Sequence, residues 1–127
     1  MRPGVVNFAR NEYIRDIMVA HNDGDKSIWI SEMNWNALPY GSNMPATYGQ
    51  VALEQQARLV PLGYERVSKE WPWIGVVNFW YFKRASDAEV NQSWYYFRMS
   101  DPDFTLMPVY YSVKDYIDNR NNQGSFD

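Results

Sequence analysis

Glu32 is the residue whose neighbours best equip it for chemistry. It ends the apolar run Ile28-Trp29-Ile30-Ser31, and Met33-Asn34-Trp35 opens a polar loop directly after it. A short stretch of β-branched and aromatic residues reads as a strand buried on both faces. A carboxylate at the carboxyl tip of such a strand stands where parallel α/β sheets and barrels gather their ligands. Its pKa and reactivity there would be set by the aromatic wall around it. The plainer reading of Glu32 is the first solvated residue after a strand.

Other chemistries find little support. The chain has no Cys and 1 His, His21, which falls near a helix end. No regular acidic spacing suggests a metal site, no glycine-rich loop suggests a phosphate site, and no cofactor is expected. Asp23 and Asp25 connect a helix to a strand, the face that serves stability in barrels rather than catalysis.

Composition narrows the field further. The chain has 127 residues, 46% hydrophobic and 21% charged, which suits one globular domain. A net charge of −3 with scattered basic residues leaves no footprint for nucleic acid and no basic membrane patch. No apolar run approaches the ~20 residues of a membrane span. Met1-Arg2-Pro3-Gly4 lacks the apolar core of a signal peptide. Six Trp, 10 Tyr and 6 Phe supply either core mass or flat platforms for flat ligands.

The elements that must position Glu32 read as helix, strand, helix, strand, helix. Tyr13, Ile14, Ile17 and Met18 recur at helical spacing between about Asn7 and His21, and Asn22-Asp23-Gly24-Asp25 stops that helix. The first strand is expected at about 27–32. Thr47-Tyr48-Gly49-Gln50 has the form of a capping box, which opens a helix over about 48–71. Leu53, Ala57, Val60, Tyr64, Val67 and Trp71 form its stripe, Pro61 should kink it, and Pro72 closes it. The second strand covers about 74–80, from Ile74 to Trp80, and a long loop runs from Tyr81 to Phe104. The last helix covers about 107–118 with Pro108 in its first turn, and 119–127 forms a polar tail. Helices alternating with buried strands mean parallel strands joined by helical crossovers. Two strands alone are too few for a covered sheet, which hints at a piece of something larger or at assembly.

Several motifs, in order, carry a family resemblance. Ile28-Trp29-Ile30-Ser31-Glu32-Met33-Asn34-Trp35 resembles the seventh-strand region of retaining glycoside hydrolases built on a (β/α)8 TIM barrel, the large clan with cellulase-like, β-xylosidase-like (family 39-like) and β-galactosidase-like enzymes. Gln55-Gln56-Ala57 resembles the start of their seventh helix, and Trp73-Ile74-Gly75-Val76 with Phe79-Trp80 their eighth strand. Asp101-Pro102-Asp103 and Met107-Pro108-Val109-Tyr110 resemble the turn and start of their last helix. Met33-Asn34 stands where the family has phenylalanine-glycine, and Met107 where it has lysine.

The resemblance implies an α/β fold, the C-terminal fragment of a TIM barrel comprising its seventh and eighth βα units. It implies that Glu32 is the catalytic nucleophile, with Trp80 a sugar platform and Trp35 and Asn78 further sugar contacts. Period-two alternation would then aim Ile28, Ile30 and Glu32, and Val76, Asn78 and Trp80, into the barrel, with Trp29 and Ser31 under the helices. Lys83, Arg84, Asp87 and Trp94, on the loop after Trp80, could contact sugars there, although loop charges are more often simply solvated. The family's acid/base glutamate belongs to the fourth strand, outside this sequence, so the chain alone is expected to be inactive. The implied partners are an oligo- or polysaccharide and the missing N-terminal barrel portion, or else a second copy through self-association at strand edges, with partial disorder between Tyr81 and Phe104 as the other outcome. The alternative reading is a non-catalytic carbohydrate-binding or self-associating barrel remnant. The compartment stays open; a secretion signal would belong to the missing part.

Overall fold

The structure, a computed structural model, describes residues 7–123. The amino-terminal Met1-Arg2-Pro3-Gly4 and the end of the expected polar tail, 124–127, lie outside the described residues. Helix α1 spans Arg10–Ala20, strand β1 Ile28–Met33, helix α2 Leu53–Glu70, strand β2 Ile74–Phe79 and helix α3 Pro108–Gln123. Two short 3-10 turns, Asp87–Glu89 and Ser93–Phe97, interrupt the long loop between β2 and α3. The fold is mixed α/β, with β1 and β2 paired in parallel. Parallel strands cannot be joined by a tight turn, so α2 crosses over between them.

Turn chemistry sets the first boundary where expected. Asn22 adopts a left-handed φ of 62°. The Asp23 N–H then donates to the Met18 carbonyl at 2.8 Å and the Asn22 N–H to the Val19 carbonyl at 3.2 Å. These two bonds close α1 as a Schellman motif with Asn in glycine's usual place. Its expected stripe is not core, however: Ile14 and Ile17 are exposed.

Helix α2 starts later than the Thr47–Gln50 pattern suggests. Gly49 has a φ of +79°, which a helix does not accept, and the Gln50 amide donates instead to the Leu38 and Pro39 carbonyls at 3.1 and 3.0 Å. One turn on, Gln55 Oε1 accepts the Ala52 N–H at 2.9 Å, the amide half of a capping box. Pro61 lies inside α2 without ending it. Helix α3 runs past the expected 118 to Gln123, so the first part of the expected tail is helical. Arg120 anchors that end on Tyr116 Oη at 2.9 Å and Ser68 Oγ of α2 at 3.0 Å.

The core lies on one face of the sheet. Met33, Val60, Met107 and Val109 are buried together, with Ile30, Trp35, Tyr64, Val77 and Phe79 against them. A second cluster of Ala9, Val67 and Trp71 gathers Phe8, Trp73 and Ile74. The facing assigned to β1 by strict alternation is therefore corrected: Ile30 lies among the helix-side residues, while Trp29 is 71% exposed. Alternation itself holds from Ile28 to Ser31, but it is the isoleucine face that the helices cover. Register shifts fall between Ile28 and Trp29, with the extra residue in β2, and between Ile30 and Met33. A one-residue slip in phase turns every later side chain to the other face. The second shift leaves both Ser31 and Glu32 exposed and drops Met33 into the core.

Gly63 brings the α2 backbone close to this region. A Cβ there would sit 3.1 Å from Trp35 Cη2 and 3.3 Å from both Met33 Sδ and Phe8 Cζ. Gly63→Val is expected to destabilise the chain by about 1–3 kcal/mol through overpacking, read as a lower urea midpoint with an unchanged slope.

Candidate functional site

Both strands end side by side, and a cleft of about 470 Å³ opens over their carboxyl ends. That volume lies in the range of small-molecule sites, roughly 300–1,000 Å³. Glu32 reaches it from the tip of β1 and Trp80 from the residue after β2. Tyr48 comes from the loop after β1, and Arg84, Trp94 and Phe97 from the loop after β2.

The floor is held by one side chain. Asn34 Nδ2 donates to the Trp80 carbonyl at 2.8 Å and also to the Phe97 carbonyl, tying β1 to both the β2 tip and the long loop. Its Oδ1 accepts the Trp35 N–H at 2.7 Å and Gln56 Nε2 at 3.2 Å. Gln56, fully buried in α2, also donates to the Trp35 carbonyl at 2.9 Å. The Trp80 N–H donates to the Met33 carbonyl at 3.3 Å, extending the ladder to the cleft. The Trp80–Tyr81 peptide is cis.

The long loop is folded over the strand tips by its own bonds. The Met99 and Ser100 N–H groups both donate to the Phe82 carbonyl at 2.9 Å, and the Met107 N–H to the Met99 carbonyl at 2.9 Å. Tyr95 is buried; its hydroxyl donates to Asp87 at 2.5 Å, and its carbonyl accepts the Tyr81 hydroxyl. Burial, reinforced by the Asp87 carboxylate, pushes the Tyr95 phenol far above the ordinary tyrosine range; burial also raises Tyr81.

Aromatic rings wall the cleft. The Trp80 ring centroid lies 5.5 Å from that of Phe97, tilted by 62°, and 6.4 Å from that of Trp94. The Arg84 guanidinium stands 4.5 Å from the Trp94 centroid, 4.6 Å from that of Tyr81 and 5.8 Å from that of Trp80. One carboxylate, one guanidinium and several flat apolar faces thus converge on one space. Such a space can stack a flat or ring-shaped ligand and present it to a carboxylate.

The structure brings Glu32 and Trp80 together in this cleft but not the other two expected contacts. Asn78 is exposed on the strand below and donates to the Ile30 carbonyl at 3.4 Å. Trp35 turns away from the cleft into the core, 5.5 Å from the Phe8 ring, because Asn34 holds its backbone and Gly63 leaves space for its ring. Of the loop candidates, Arg84 and Trp94 line the cleft, whereas Asp87 holds Tyr95 and Lys83 stands 4.5 Å over the Phe104 ring. Tyr48 and Phe97 carry no local signal of this placement: in the sequence they look like any other loop aromatics. In the sequence Asn34 stands out only as a departure from glycine, because its role depends on partners 46 and 63 residues away. Among the described residues no group of His, Cys, Asp or Glu could hold a metal ion, and no helix is long and apolar enough to cross a membrane.

No family model, curated protein or solved structure matches the chain.

Two outcomes follow from this geometry. Asn34→Ala removes several hydrogen bonds and leaves Gln56 short of a partner, so a loss of about 2–4 kcal/mol is expected, with a red shift of tryptophan emission as the cleft loosens. The raised phenol of Tyr95 has the opposite pH sense to a salt-bridged carboxylate. Its contribution is complete below the unfolded tyrosine pKa of about 10 and is lost as pH rises above it, because only the unfolded chain readily ionises there. Alkaline unfolding monitored by phenolate absorbance is expected to be less steep in Tyr95→Phe than in the parent chain.

Proposed function

We propose that this chain is the C-terminal part of a (β/α)8-barrel retaining glycoside hydrolase, with Glu32 as nucleophile and Trp80 as sugar platform. The observation that carries the reading is the convergence of these two residues on one cleft at the carboxyl ends of two parallel strands. That is the end of a parallel sheet at which such folds work. A sugar ring stacked on the Trp80 face would present its anomeric carbon to the exposed carboxylate of Glu32. Attack by a Glu32 oxygen displaces the leaving group and forms a covalent glycosyl-enzyme, which water then hydrolyses.

A retaining mechanism needs a second carboxylate about 5–5.5 Å away to protonate the leaving oxygen and later activate water. Glu32 is the one carboxylate among the described residues lining the cleft, so the acid/base would come from another part of the barrel. The open sheet supports such a continuation. Trp29 is exposed on the face away from the helices, Ile14 and Ile17 are exposed on α1, and the two-stranded sheet has an unpaired edge on each side among the described residues. A parallel sheet is ordinarily covered on both faces. The same unpaired edges also favour a second reading, a non-catalytic, self-associating remnant that keeps the aromatic cleft.

The test uses both forms of the protein. The isolated chain is expected to show no turnover of an aryl glycoside. In an intact barrel carrying this segment, Glu32→Ala is expected to lower turnover by roughly a thousandfold or more, with the fold unchanged by circular dichroism. Added azide should then restore part of the activity on an activated substrate by filling the vacated space and attacking the anomeric carbon. Unchanged turnover in Glu32→Ala would overturn the nucleophile assignment, and robust turnover by the isolated chain would overturn the missing acid/base.

A further inference from the structure

Arg84 is the cation of the cleft, and its setting differs from that of Arg66 and Arg98. Arg66 donates an aligned hydrogen bond to Glu70 at 2.9 Å, and Arg98 donates one to Asp101. Arg84 lies 3.3 Å from a Glu89 carboxylate oxygen through Nε, yet that buried Nε makes no hydrogen bond. The guanidinium is oriented instead by rings: Trp94, Tyr81 and Trp80 all lie within 6 Å of it. Stacking of this kind fixes the plane of a guanidinium while leaving its edge donors directed outward. An arginine carries five N–H donors in a rigid fork, and Glu89, which is itself partly solvated, meets it at one edge.

We propose that Arg84 makes the cleft selective for sugar acids: it reads the carboxylate of a uronic acid residue in the sugar seated against Glu32. This rests on the carbohydrate reading above and adds the class of sugar. In a pyranuronate, C1 and the carboxylate-bearing C5 flank the ring oxygen. One ring can therefore turn its anomeric carbon to Glu32 and its carboxylate to Arg84 while an apolar face lies on Trp80. A planar guanidinium pairs with a carboxylate through two parallel hydrogen bonds, a match that a neutral hydroxymethyl group at the same position does not make. Apart from Glu32 and Arg84, the residues lining the cleft are aromatic or uncharged, so Arg84 is the cation there that an anionic ligand group would meet.

The experiment follows tryptophan fluorescence of the 127-residue chain, because Trp80 and Trp94 line the cleft. Sodium D-glucuronate, D-glucose and sodium acetate are titrated at constant ionic strength. Glucuronate is expected to bind roughly tenfold tighter than glucose, the equivalent of one charge-assisted pair. Acetate, which has no ring to stack, is expected to bind more weakly still. Arg84→Gln should bring the glucuronate-to-glucose preference to near unity, and Arg84→Lys should retain part of it. Glu89→Gln removes the competing carboxylate without touching the aromatic cage, and it should tighten glucuronate by about threefold. This second variant keeps the proposal testable if Arg84→Gln does not fold. Equal affinity for glucuronate and glucose, a preference that survives Arg84→Gln, or weaker glucuronate binding in Glu89→Gln overturns the role of Arg84 and leaves the carbohydrate reading standing. Acetate binding as tight as glucuronate overturns the sugar-acid assignment. Binding of neither sugar overturns the carbohydrate reading and this proposal with it.

Discussion

The side-chain amide of Asn34 bridges the ends of two strands that parallel pairing forces to emerge together. Because β1 and β2 run the same way, their carboxyl ends point to one side. Past the Trp80 N–H to Met33 carbonyl bond the ladder stops, leaving the Trp80 carbonyl without a strand partner. Asn34 fills that gap by donating to Trp80 and Phe97, while its oxygen receives Trp35 and Gln56. The bonds couple the β1 tip, the β2 tip, the long loop and α2 through a single residue. A glycine at this position could make none of the side-chain bonds. The loop after Glu32 is therefore held by an amide, not by the backbone freedom a glycine would supply.

From that bridge the cleft follows. The Trp80 backbone is fixed, its ring faces Phe97 and Trp94, and the long loop folds back over it through Tyr95 and the ladder between Phe82, Met99 and Met107. Charge is sparse in this setting. Glu32 is exposed at one wall, and Arg84 is stacked among rings at another. An aromatic site with one charge of each sign suits a ligand that is mostly a stackable ring with a polar edge. The buried Tyr95, bonded to the exposed Asp87, ties the loop to itself, and neither residue lines the cleft.

The helix side and the open side of the sheet are built on different terms. Under the helices, Met33, Val60, Met107 and Val109 pack as an ordinary core. On the other side Trp29 presents its ring to solvent, with Gly75 close beneath it: a Cβ there would lie 3.1 Å from the indole nitrogen. The exposed stripe of α1 repeats the theme at one flank. Apolar groups left in the open at a flank and on a sheet face are surfaces suited to further strands and helices, or to another copy of the chain.

Local chemistry alone determined much of this molecule. The helical spacing in α2, the apolar runs of both strands, the Asn22 stop and the placement of Glu32 and Trp80 at strand tips are all legible from residues within one or two turns of each other. The mixed α/β order with parallel strands follows from that alternation. Tertiary structure decided what depends on distant partners. Helix packing put the Ile30 face of β1 inside and turned Trp29 outward, and the register shift between Ile30 and Met33 broke the alternation only after them. Gln50, drawn to the Leu38 and Pro39 carbonyls, and the positive φ of Gly49 moved the start of α2. Trp35 went to the core because Gly63 made room for it, and Arg84 became a cleft residue because three rings converged on it. Periodicity reports which residues avoid water, but hydrogen-bond register and long-range packing choose the face each one turns to.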